Sequence, residues 1–131
     1  MNRLVSYVIA GVVALTTAQV AALTTAQVAA LTPTQIGALE TADVAALTTA
    51  QVVALTTAQV AVLTVGQLEA LSTSQVRALE TEDVAALTTD QIAGLDVLQV
   101  AALTTAQIVA LTTAQVRALT IEQLEALSGV Q

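Results

Sequence analysis

The 131-residue chain has no cysteine, histidine, tryptophan or phenylalanine, and a single tyrosine, methionine and proline. Without cysteine there is neither a disulfide framework nor a thiolate metal site, and the redox compartment is left open. Without histidine as well, the commonest general base, metal ligand and partner of a nucleophile are missing, so Ser6, Ser72, Ser74 and Ser128 have no base to activate them. The expectation is therefore no enzyme, no catalytic, cofactor-binding or metal-binding residues, no cofactor and no small-molecule substrate. Positive charge is scarce too. Three arginines stand against ten Asp and Glu, a net charge of −7, which repels a phosphate backbone instead of releasing its counterions and argues against a nucleic-acid partner.

Long apolar runs are also lacking, although the mean hydropathy is +0.81. A membrane-spanning helix needs about 20 predominantly apolar residues in a row, and Thr and Gln break the sequence far more often, so no membrane span is expected. The longest clean run, Tyr7 to Leu15, follows Met1, Asn2 and Arg3. Residues 1–14 thus have the look of a signal-peptide core, with a hydrophobic cap over the first repeat as the favoured reading.

What is there is repetition. Leucine recurs every eight residues from Leu15 to Leu127, marking fourteen complete octads over 15–126 and a truncated one at 127–131. The typical unit reads LTTAQVAA. With leucine as position one, position two is Thr, Ser or Asp except at Glu40 and Glu80. Position five is Gln except at Asp43 and Asp83, and position six is always aliphatic. Position eight is Ala except at Val62 and Gly94.

One unbroken α-helix cannot use this spacing, because eight residues at 3.6 per turn overshoot two turns by about 80° and wind the leucines around the whole surface. A strand fares little better, since period two puts positions one and six on opposite faces. One short helix per octad resolves the conflict: position six and the next leucine are three apart and share an apolar face, while positions four and seven share a polar one. Thr followed three residues later by Gln is the capping box, a helix start in which each side chain satisfies a backbone N–H of the other residue. Pro33, directly after Thr32, fits the first helical position, where a missing N–H has no intrahelical partner anyway. The paired swap to Glu40 with Asp43, and to Glu80 with Asp83, suggests that the two side chains touch.

A lone octad cannot fold, because burying one Leu and one Val does not offset the entropy of ordering eight residues. Stacking must supply the difference. The fold class expected is an all-α solenoid of tandem eight-residue repeats with a continuous Leu, Val, Ile and Ala core. The number of octads per coil is not encoded in any feature of the repeat alone.

The string LTTAQ resembles the LTxxQ motif of bacterial periplasmic stress chaperones, where it marks helix starts; the likeness implies that role for residues such as Thr16 and Gln19, and no chaperone activity, because those proteins have long helices. LTPTQIGAL at Leu31 to Leu39 resembles the opening of the 34-residue repeats of DNA-binding effectors of plant pathogens, but period and charge disagree, so DNA binding does not carry over. As a whole the chain is most similar to LTTAQ-type octapeptide arrays within large bacterial surface or secreted proteins. That resemblance implies a scaffold or spacer rod, outside the cell or on its surface.

Other readings of the same residues compete. Glu80, Glu82 and Asp83 form the densest acidic cluster, read as a solvated helix start more readily than as a weak cation site. Arg77 with Glu69, and Arg117 with Glu125, are spaced for charge pairing between neighbouring octads. Position three is Thr in ten units, a row that would suit an ice-binding array were it not interrupted by Val65, Val97 and Ile121. A peptide-binding groove would need side chains that differ from unit to unit, which these octads lack. The apolar beginning, with Val8, Ile9, Val12 and Val13, and the uncharged final residues point to a homo-oligomer joined end to end into filaments.

Overall fold

The computed structural model describes residues 16–128, and among these there are fourteen short α-helices and no strand. In chain order they are α1 (Thr17–Ala21), α2 (Thr25–Ala30), α3 (Pro33–Gly37), α4 (Thr41–Ala45), α5 (Thr49–Val53), α6 (Thr57–Ala61) and α7 (Val65–Glu69). There follow α8 (Thr73–Ala78), α9 (Thr81–Ala86), α10 (Thr89–Ala93), α11 (Val97–Ala101), α12 (Thr105–Ala110), α13 (Thr113–Ala118) and α14 (Ile121–Ser128). Each octad contributes one helix, so the array is a helical repeat solenoid. The segment 1–14, read above as a cap or signal-like, lies outside the described residues.

Each helix begins where its position-two residue turns extended. Thr48, for example, has φ −74° and ψ 161°, while its Oγ1 accepts the Gln51 N–H at 3.1 Å and its own N–H donates to Gln51 Oε1 at 2.8 Å. The third octad starts its helix on Pro33, as the proline geometry requires. The helices stop after one or two turns because the next leucine or the residue after it is already extended; Leu31 has φ −65° and ψ 139°.

Helices this short leave most of their backbone N–H and C=O groups without intrahelical partners, so their stability comes from stacking. Each helix packs chiefly against the third one along the chain: α1 on α4, α4 on α7, α2 on α5, and so on to α11 on α14. Three octads, 24 residues, therefore close one coil, and the helices stand in three files. A side of five or six helical residues is only about 8 or 9 Å long, which leaves room inside for one aliphatic side chain per octad. Position six fills it: from Val20 to Val100 these side chains are 0–1% exposed, with the leucines at the corners between helices. The pattern opens in the last coil, where Val116 and Leu124 are each 46% exposed.

The three described glycines separate two roles for a missing Cβ. Built onto Gly37 or Gly66, a Cβ meets nothing closer than 3.8 Å, whereas on Gly94 it falls 2.6 Å from Val65 Cγ1 in the coil below. Gly37→Ala and Gly66→Ala should each stabilise by about 0.5–1 kcal/mol through the unfolded state and helix propensity. Gly94→Ala should give no gain, since Val65 is β-branched and stiff at χ1. Urea midpoints of the three variants check this; an equal gain at all three would mean that the Gly94–Val65 packing is wrong.

Candidate functional site

The most organised chemistry of the chain lies inside it. Among the described residues, every Gln at position five accepts the N–H of its own helix cap through Oε1 and is in turn held by the cap hydroxyl or, at Asp96, a carboxylate. From Gln51 onward these glutamines are also buried, at 1–4% exposure. Their Nε2 groups reach the preceding coil. Gln51 Nε2 donates to Val20 O at 2.9 Å and Leu23 O at 2.7 Å, and Gln99 Nε2 to Leu68 O at 2.7 Å and Leu71 O at 2.8 Å.

The same register, 31 and 28 residues back, recurs at Gln59, Gln67, Gln75, Gln91, Gln107, Gln115 and Gln123. The receiving carbonyls are those at the C-terminus of a helix and in the turn after it: the position-six carbonyl, such as Val20 O, also accepts the N–H of the next leucine at 3.1 Å, and the leucine carbonyl lies past the helix end. One side chain thus caps the start of its own helix and the end of another. Sequence reasoning found the first half and missed the second. The signal was present: a capping box is served equally by Glu, yet all twelve boxes use Gln and none uses Glu, a choice that the need for an amide donor accounts for from Gln51 onward.

Asp43 and Asp83 interrupt this ladder. Both are 2% exposed, which corrects the reading of the Glu80, Glu82 and Asp83 cluster as a wholly solvated helix start: Glu80 and Glu82 are exposed, Asp83 is not. Nor do the paired acids form a reciprocal box, because Glu40 and Glu80 make no side-chain cap bond. Each Asp accepts the backbone N–H of its own Glu, and its Oδ2 has no partner. Burial first, then the charge of Glu40, pushes the Asp43 carboxyl above its usual range against the opposing effect of that N–H bond. Burial, followed by Glu80 and Glu82, raises Asp83 to about 6.

The remaining residues singled out above are dispersed. Ser72 is a helix cap whose Oγ accepts the Gln75 N–H at 3.2 Å, and Ser74 is exposed; Ser6 lies outside the described residues. Arg77 and Glu69 make no ion pair, because equivalent positions stack every third octad, not in successive ones. Position three is exposed almost throughout. Each file of it is broken, by Val65, by Val97 and Ile121, or by Pro33. Among the described residues no three acids cluster closely enough to hold a metal ion, and no helix is long and apolar enough to cross a membrane.

A family model described as the ALTTAQ repeat matches residues 10–40, 36–73, 65–97 and 93–129. No curated protein and no solved structure matches the chain.

Proposed function

The chain belongs to the ALTTAQ repeat family, and from that premise we propose that it is a non-enzymatic structural rod, a scaffold or spacer of a bacterial protein at or outside the cell surface. The observation that supports this reading is the glutamine ladder. Among the described residues the densely connected polar system is buried and spent on joining coil to coil, and the outer surface carries mainly Ala and Thr with scattered acids and aliphatics. The breaks in each threonine file weigh against an ice-facing array.

Solution scattering tests the reading. Deleting residues 57–80, one coil of three octads, should shorten the particle by about one interhelical spacing, 8–10 Å, and leave its cross-section unchanged. A compact remainder, or loss of helical circular dichroism, would defeat the rod.

End-to-end association of copies belongs to the same reading. Val116 and Leu124 are each 46% exposed at the octad position that is buried from Val20 to Val100, and the reading takes a coil of a second copy as what covers them. Such a contact is heterologous and propagates instead of closing. Mass should rise with protein concentration, and Val116→Glu with Leu124→Glu should return it to the monomer. A parent chain that stays monomeric at millimolar concentration ends the proposal. The contributions expected of Ile9 and Val13 concern residues outside the described ones.

A further inference from the structure

Where the glutamine ladder is broken, the residue that breaks it is titratable. We propose that Asp83 is a proton-operated rung: as the neutral acid it locks its coil onto the one before, and as the carboxylate it makes that junction the weak point of the stack, so that the rod tightens in acid.

The geometry rests on register. Gln75 and Gln91, on either side in sequence, send Nε2 to Val44 and Leu47 and to Val60 and Leu63, respectively 31 and 28 residues back. The same steps from Asp83 land on Val52 and Leu55, at the end of α5 and the turn after it. Glutamine brings two N–H donors to such a pair of carbonyls; an ionised carboxylate brings none, only further acceptor lone pairs. Asp83 Oδ2 is buried and has no partner. A proton converts Oδ2 to a donor on the side where the register places the Val52 and Leu55 carbonyls, and it removes an unpaired charge from the interior, where such a charge is costly.

The surroundings leave the proton as the simplest remedy. The helices packed against α9 are α6 and α12, and neither these nor residues 52–56 contain a titratable side chain. On its own helix start the neighbours are Glu80 and Glu82, both acidic; Arg77, six residues earlier, is exposed and is not among the groups that shift Asp83. Asp43 repeats the construction on α4, packed against α1, which has no titratable side chain, and α7, which carries Glu69. The carbonyls in register with it belong to residues outside the described ones.

The sign follows from linkage. The folded-state carboxyl sits at about 6 against 3.8 for the free group, so between these values the native chain binds the proton and the unfolded chain does not. Stability rises as pH falls through 6, is fully gained below 3.8, and is lost as pH climbs back above 6. The gap corresponds to a change on the order of a hundredfold in the unfolding equilibrium constant.

Because acid also relieves the general repulsion of a chain with net charge −7, the test compares the parent with Asp83→Asn, which fixes a neutral donor of the same shape. Urea unfolding at pH 7.5 and pH 5 should give a parent that is more stable at pH 5, and an Asp83→Asn chain that recovers most of that gain at pH 7.5 with a flattened pH response. Asp83→Gln combined with Glu80→Thr rebuilds the common octad and should be the most stable at pH 7.5. A parent indifferent to pH in this range overturns the proposal. So does an Asn variant that keeps the parent's full pH response, or stability at pH 7.5 that depends on which cation is present at fixed ionic strength.

Discussion

Gln75→Glu should destabilise the rod by about 3–5 kcal/mol at pH 7.5, the cost of leaving a buried charge uncompensated, whereas Gln19→Glu should change stability by less than about 1 kcal/mol. The two substitutions are chemically identical and fall on the same position of the octad. Glutamate keeps the oxygen that accepts the cap N–H in both, and a negative charge in the first turn favours the helix dipole. The difference lies across the coil junction. Gln75 is 4% exposed and its Nε2 is shared between Ala45 O at 3.1 Å and Leu47 O at 2.6 Å; Gln19 is only half-buried and makes its own box alone. Replacing the amide nitrogen by oxygen at Gln75 turns two donations into repulsions. Chemical unfolding monitored by circular dichroism decides: equal effects at the two sites would mean that the octad's glutamine acts only within its own helix.

This contrast also marks what the sequence could convey. The frame of the octad, its helix start at Thr and Gln, the choice of positions one and six for the core and the all-helical solenoid were legible because they are local: they follow from spacing within eight residues, and Pro33 anchors the register. The coil count was not legible, since nothing within one octad says which later octad lies above it. A three-octad coil shows only when Gln51 is seen to meet Val20 and Leu23. The pairing expected between Arg77 and Glu69 failed for the same reason. Arg77 has as vertical neighbours Val53 and Ala101, 24 residues away on either side, not Glu69. The burial of Asp83 was hidden because an acid in the first turn of a helix is ordinarily solvated, and only the occupancy of that position by buried glutamine in the other coils shows that it points inward.

The largest apolar effect is expected at Leu68. It is the bulkiest position-six side chain at 0% exposure together with Ile36 and Ile92, each 1% exposed. It stands where most octads have Val, so the interior at that level has accommodated an extra methylene. Leu68→Ala removes the side chain that fills its layer, and the small triangular coil has little freedom to collapse around the gap, because each side of it is fixed by hydrogen bonds to the coil above and below. The cost should be about 2–5 kcal/mol. Leu124→Ala is the same substitution at the same octad position in the last coil, where the side chain is 46% exposed, and it should cost about 1 kcal/mol or less. Ala26→Glu, at an exposed position four, should be within about 0.5 kcal/mol of neutral. Because stability in a solenoid is a sum of unit and nearest-neighbour terms, a lesion at α7 also uncouples the coils on its two sides. The Leu68→Ala transition should therefore broaden in urea, with a lower slope than the parent's, while Leu124→Ala keeps the parent's slope. Equal losses for the two leucines, or a loss at Ala26 comparable to that at Leu68, would show that position six does not line the axis of the rod.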